Sequence, residues 1–174
     1  TVMVLMNALC LEAEWDDPYT DNCVREGTFK NAKGNLVKAE YMYSQETEYI
    51  ETENATGFVK YYKGGKFAFV ALLPNEGTSI DSYIASLTGK GFLSALNSRK
   101  NTQVNTQMPK FKCEYSNSLV DTLKKMGMST AFDGDRANFS SMATLKNENI
   151  YISDVIHKTF IEVAEKGTRA GAAT

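Results

Sequence analysis

The sequence predicts an α+β fold, because strand-like runs predominate and only two stretches have helical periodicity. The clearest strand begins at Ile150. It is rich in β-branched residues and apolar on both alternating faces, as is typical of a strand covered on both sides. The predicted helices cover residues 79–96 and 118–126. No internal repeat or low-complexity tract is visible, which argues against a repeat architecture.

The first part of the chain is predicted to form strands. Residues 1–11 make a mostly apolar strand, in which the amide of Asn7 must find hydrogen-bond partners if it is buried. Trp15 is the only tryptophan and precedes a turn at residues 16–18, so its indole is expected to pack at the end of a sheet. The run FAFVALLP at 67–74 is apolar on both faces, which predicts a buried strand of a second sheet.

The second part contains the helices. The helix at 79–96 is expected to break at Gly89 and Gly91 and to resume at Phe92. The later helix is predicted to end at Gly127 as its carboxyl cap. Three apolar side chains of that helix are expected to face inward: Leu119, Leu123 and Met126.

The chain changes composition abruptly after Lys166. On strand geometry, one face of the following segment carries only small, uncharged side chains: Thr168, Ala170, Ala172 and Thr174. The opposite face carries Arg169, Gly171 and Ala173. Composition alone leaves two interpretations open, a flexible linker and a segment that leaves solvent and inserts into a sheet.

Charge and motifs exclude several classes of function. The net charge is −2 and the pI about 5.5, so there is no electrostatic case for a nucleic-acid or anionic-membrane partner, and no apolar run approaches membrane-helix length. The spacing of the three cysteines matches no zinc pattern, and no metal or cofactor is predicted. His157 is the only histidine, and without a Gly-x-Ser-x-Gly motif we predict no catalytic residue and no hydrolase.

Six sequence blocks resemble those of the serpin family, in the family's order. ISDVIHKTFIEVAEKGT at 152–168, followed by small residues, resembles strand 5 of the large central sheet running into the hinge of the reactive-centre loop. NALCLEAEWDDPY at 7–19 resembles strand 3 and the turn after it. The other blocks are REGTF at 25–29, MPKFKCE at 108–114, LVDTLKKMGMSTAF at 119–132 and ANFSSM at 137–142.

The resemblance implies roles for residues outside any catalytic site. The hinge would be Gly167 to Thr174, with Gly167 as its pivot. Trp15 would lie at the breach, where the loop first enters the sheet. Asn7 and His157 would belong to the polar cluster called the shutter. The residues alone favour a hydrogen-bonded core histidine at position 157, and the resemblance is compatible with that interpretation. Lys110 and Glu165 are expected to form an ion pair at the loop base.

The resemblance also implies a function: suicide inhibition of a serine or cysteine protease, by a monomeric inhibitor that forms a covalent complex with its target. The competing interpretation is a non-inhibitory carrier, chaperone or storage serpin, whose hinge is often bulky, charged or proline-containing. The sequence departs from the inhibitory pattern at Arg169, where an acidic residue is usual. Because Arg169 lies on the face expected to stay outside, we expect little penalty.

The boundaries of the chain suggest a part of a larger domain. It opens directly on a strand-like run and stops within the small-residue segment. We therefore expect residues 1–174 to be part of a single serpin domain, whose amino-terminal helical half and carboxyl-terminal strands lie outside this chain. An extracellular location is expected from family habit alone, and the target protease depends on residues beyond Thr174.

Overall fold

The computed structural model describes residues 8–143, 145–146 and 148–173. These residues divide into two compact units. One contains Ala13–Phe111 and Val163–Thr168, and the other contains Lys112–Glu162 with the described residues of the two remaining ends. In the described ranges, no helix is long and apolar enough to cross a membrane.

One sheet is built around a 16-residue strand. Its strands are β2 (Val24–Lys30), β3 (Leu36–Glu51), β4 (Ala55–Tyr61), β5 (Ala68–Pro74) and β6 (Lys100–Pro109). All pairs are antiparallel, and β3 pairs with β6 along one edge and with β2 and then β4 along the other. The turn between β2 and β3 has Gly34 at φ 80°, a positive φ that glycine adopts readily.

Two helices and a small apolar core accompany this sheet. The helices are α1 (Ile80–Ser86) and α2 (Gly89–Asn97). The core consists of Ile50, Val59 and Ala95, with Val70, Leu72 and Leu96 packed against them. Thr88 caps α2 by accepting a hydrogen bond from the Gly91 amide at 3.0 Å, so the two predicted helix-breaking glycines lie in the first turn of α2. The break comes two residues earlier than expected.

The other sheet contains the small-residue segment as a strand. Its strands are β1 (Ala8–Glu14), β7 (Phe111–Ser118), β8 (Ile156–Ala164) and β9 (Gly167–Ala173), in the order β1-β9-β8-β7. Only two residues connect β8 to β9, as in a tight antiparallel hairpin. The segment after Lys166 therefore lies between β1 and β8, and the linker interpretation is wrong for its described residues.

Some predicted elements differ from the structure. Strand β8 begins at Ile156, six residues later than expected, because the preceding residues bond to other segments: Ile152 donates to the Ala131 carbonyl and Val155 accepts from the Leu119 amide. Phe160 and Ile156 are 38% and 53% exposed, so β8 is covered on one face only.

The later helix and the run at 67–74 are also less buried than predicted. Helix α3 covers only Val120–Leu123 and continues into a π-helical turn in which Gly127 has φ 102°, the positive φ expected of its cap. Met126 is 78% exposed, so its predicted inward orientation is wrong. Strand β5 lies in a different sheet from β8, as predicted. Leu73 of β5 is 70% exposed, so this strand is not fully buried.

Candidate functional site at the hinge

Strand β9, which is the predicted hinge, alternates between covered and exposed side chains. Thr168 is buried and Ala170 and Ala172 are half-buried, whereas Arg169 and Ala173 are exposed. This alternation agrees with the two faces deduced from strand geometry. Each inward side chain is small enough to occupy its position without displacing a neighbouring strand.

Gly167 approaches β1 more closely than a residue with a side chain could. A Cβ atom built on Gly167 would overlap the carbonyl oxygen of Ala13 and lie 2.9 Å from the Cα of Glu14. Glycine is required here for lack of space. The first residue of the hinge is thereby fixed against the last residues of β1.

Trp15 is almost completely buried next to the hinge, as predicted. It is 1% exposed and stacks on Tyr62, with ring centroids 4.5 Å apart and an interplanar angle of 7°. Phe69 meets the same indole edge-on, with a centroid distance of 5.8 Å. The indole Nε1 donates to the Ala164 carbonyl and the Trp15 amide donates to the Lys166 carbonyl, each at 2.9 Å. Trp15 therefore holds the backbone on both sides of Glu165.

Thr168 forms a buried hydrogen bond with this aromatic group. The Tyr62 hydroxyl donates to Thr168 Oγ1 at 2.7 Å. Burial raises the pKa of the Tyr62 phenol, so the donor keeps its proton at neutral pH. A threonine at this position has a small side chain. Its hydroxyl also provides the hydrogen-bond acceptor that the buried Tyr62 hydroxyl needs.

Lys110 and Glu165 form the predicted ion pair. Lys110 Nζ lies 2.5 Å from Glu165 Oε1 and 2.9 Å from Glu40 Oε2, so one ammonium group bridges two carboxylates. The hydrogen bond from Lys110 lowers the pKa of Glu165, and the bond to Glu165, followed by the bond to Glu40, raises the pKa of Lys110. Both side chains are partly exposed, at 26% and 31%, so the pair contributes only about 0–1 kcal/mol.

The stabilisation from this pair is expected to depend on pH. Because the pKa of folded Glu165 lies below its ordinary value of 4.5, the contribution is present above that pH and is lost as the pH falls through the folded pKa. Lys110→Met should lower Tm by about 1–3 °C near neutral pH, and the difference should vanish once the pH falls below the folded pKa of Glu165. Thermal unfolding of both full-length proteins across this range measures it.

A matched control is Lys112→Met, which removes an exposed pair 3.1 Å long with Glu114. It should cost less than Lys110→Met near neutral pH. If the deficit of Lys110→Met were as large in acid as at neutral pH, Lys110 would act through packing of its aliphatic stem and the ion pair would carry no stability.

The remaining predicted residues are placed as follows. His157 is half-buried on β8. Asn7 and Thr174 lie outside the described residues, so the shutter assignment of Asn7 and His157 stays a prediction. Arg169 is exposed and its Nε lies 3.5 Å from Glu12 Oε1 on β1, a surface pair that accommodates the unusual charge without burying it.

Sequence reasoning missed a buried polar group beside Trp15. Lys60 is 3% exposed and forms an ion pair with Glu46, whose side chain is 12% exposed. The two-residue period of a strand could have indicated this burial, because Lys60 shares one face of β4 with Phe58 and the same period extends to Tyr62, the residue after the strand. A lysine between two aromatic residues of one face is unusual for a solvent-facing position.

Within the described ranges, no group of three or more His, Cys, Asp or Glu side chains could hold a metal ion. Cys10, Cys23 and Cys113 are free thiols. The chemistry of the site thus consists of strand pairing, aromatic packing and one bridging lysine around a hinge of small residues.

The fold and the site define a class of protein: an α+β protein in which a strand of small residues lies between two other strands of a sheet. A sequence model of the family Serpin (serine protease inhibitor) matches residues 1–174. The chain belongs to the serpin family, whose members are generally protease inhibitors rather than enzymes and include secreted and intracellular proteins.

Curated relatives and solved structures match almost the whole chain. Serpin B10 of Bos taurus and serpin B3 of Homo sapiens are each 33% identical, over 100% of this chain and 45% of their own length. The crystal structure of the thermophilic serpin tengpin in the latent state has 45% sequence identity and a TM-score of 0.87, covering 97% of this chain and 46% of that one. The chain spans about half the length of these relatives.

Proposed function

We propose that the full-length protein containing this chain inhibits a serine or cysteine protease by a suicide mechanism. The observation that carries the proposal is the position of β9 between β1 and β8, with only small side chains on its inward face. A non-inhibitory carrier, chaperone or storage serpin needs no such hinge. Residues 1–174 would form part of a single serpin domain, acting as an extracellular monomer.

The proposed reaction uses the catalytic residue of the target. The protease's nucleophile attacks the scissile carbonyl in the loop beyond Thr174, the peptide bond breaks, the new amine leaves on the carboxyl-terminal fragment, and an acyl-enzyme ester or thioester forms. The freed loop then inserts from the hinge onward and carries the protease with it. Inhibition results if the active site is distorted before water hydrolyses the acyl bond.

The contacts at the hinge support insertion over simple cleavage. New ladder hydrogen bonds form with both neighbouring strands, and Thr168 gains its bond with Tyr62. Gly167 fits against Ala13 where no other residue could. These interactions exist only when the hinge is a strand, so they favour the inserted state.

A panel of serine and cysteine proteases tests the proposal. Incubation of the full-length protein with a protease that it inhibits should give a complex that survives denaturing gel electrophoresis, together with a cleaved inhibitor band. Loop cleavage by every protease tested, with no covalent complex and no loss of protease activity, would overturn the proposed inhibition.

A further inference from the structure

A lysine side chain is buried beneath the aromatic residues at the start of the hinge. Lys60 Nζ donates to Glu46 Oε1 at 2.8 Å, and the Lys60 side chain is 3% exposed. Removing an ammonium group from water is costly even when it is paired, and an apolar residue could fill the same volume. Stability alone therefore does not explain a buried charge at this position.

The ammonium group also faces two aromatic rings. Lys60 Nζ lies 4.6 Å from the ring centroid of Tyr19 and 5.8 Å from that of Trp15. Burial, the largest cause, raises the pKa of the Tyr19 phenol to about 12, so this ring is neutral. Cation–π attraction is strongest where water is excluded, as it is around this group.

These two aromatic residues hold the backbone that leads into the hinge. The Tyr19 amide donates to the Glu165 carbonyl at 3.0 Å, and Trp15 bonds to the carbonyls on either side of it, those of Ala164 and Lys166. The carbonyls of Ala164, the last residue of β8, and of Glu165 and Lys166, which connect it to β9, thus bond to residues whose rings face Lys60. The orientation of these donors depends on the position of the rings.

The position of the Lys60 ammonium group is fixed by hydrogen bonds to its partner carboxylate, Glu46. Glu46 Oε1 also accepts a hydrogen bond of 2.6 Å from Ser44 Oγ, which lies 2.8 Å from Thr106 Oγ1. The carboxylate is thereby tied to β3 and β6, and a fully connected polar group of this kind holds a single geometry.

We propose that Lys60 is a positioning residue for loop insertion: its charge holds Trp15 and Tyr19 in the orientation that receives the backbone before the hinge. This inference rests on the proposed inhibitory function. A variant without the charge of Lys60 should accordingly insert its loop more slowly. The protease should still attack its loop at the wild-type rate.

Lys60→Met in the full-length protein tests this inference, since methionine fills similar space without the charge. After a single cut in the loop, the time course of acquired heat resistance should slow by about tenfold. More inhibitor molecules should be consumed per protease inactivated. The rate of first attack on the loop should not change, because that step precedes insertion. Lys60→Arg should restore insertion, because arginine keeps the charge and packs on aromatic faces.

Two further variants separate positioning from loss of folding. Lys60→Met combined with Glu46→Gln leaves no unpaired buried charge, yet it should insert as slowly as Lys60→Met. Lys63→Met removes an exposed pair with Glu14, 3.6 Å long at 74% and 70% exposure, and should insert at the wild-type rate. If Lys60→Met fails to fold, the insertion rate of the double variant tests the role of Lys60.

The outcomes distinguish this inference from the proposed function. A wild-type protein that gains no heat resistance after cleavage overturns both. A wild-type protein that inserts its loop, together with a double variant that inserts at the same rate, overturns the role of Lys60 and leaves the inhibitory function intact.

Discussion

If the protein is an inhibitor as proposed, Ala170→Arg is expected to convert it into a substrate of its target protease. Ala170 is half-buried on the inward face of β9, between two strands, where a guanidinium group would lose water without gaining a partner. Insertion would stop near Thr168, and the acyl bond would be hydrolysed before the protease is displaced. The ratio of inhibitor consumed to protease inactivated should rise by about tenfold or more.

The matched control uses the same substitution on the other face of the same strand. Ala173 is exposed, so Ala173→Arg should leave this ratio close to that of the wild type. Full inhibition by Ala170→Arg would rule out the register in which the inward face is Thr168, Ala170 and Ala172.

Gly167→Ala is expected to block insertion at its first residue. A single methyl group at this position would overlap the Ala13 carbonyl, and a backbone atom of a paired strand cannot move aside cheaply. The variant should be cleaved by the target protease but should gain little or no heat resistance. Thermal unfolding of the cut protein and the yield of covalent complex measure this effect.

Gly89→Ala provides the control for Gly167→Ala. A Cβ at Gly89, the first residue of α2, would meet no atom within 4 Å, so alanine there should be neutral or slightly stabilising. A Gly167→Ala protein that inserts as completely as wild type would show that β1 and the hinge separate farther than the described geometry allows.

The sequence predicted the features that depend on local pattern. The alternation of Thr168, Ala170 and Ala172 follows from the period of a strand and agrees with the observed burial. Burial of Trp15 follows from its size and from the turn after it. The family resemblance predicted the Lys110–Glu165 pair, whereas the second carboxylate, Glu40, was not anticipated.

What the sequence missed depends on contacts between distant residues. The start of β8 could not be deduced from its apolar run, because the residues before Ile156 form hydrogen bonds with other segments: the Ile152 amide donates to the Ala131 carbonyl, and the Leu119 amide donates to the Val155 carbonyl. The burial of Lys60 depends on Glu46, fourteen positions away on another strand. Pairing of this kind is set by sheet register, which local periodicity does not determine.

Thermal unfolding of the full-length protein, before and after one cut in the loop, tests the central claim most directly. If the hinge and the loop insert between β1 and β8, the cut protein gains a strand, and its Tm should rise by tens of degrees. An unchanged Tm would contradict insertion of the loop, and the carrier or storage class would then account better for this serpin.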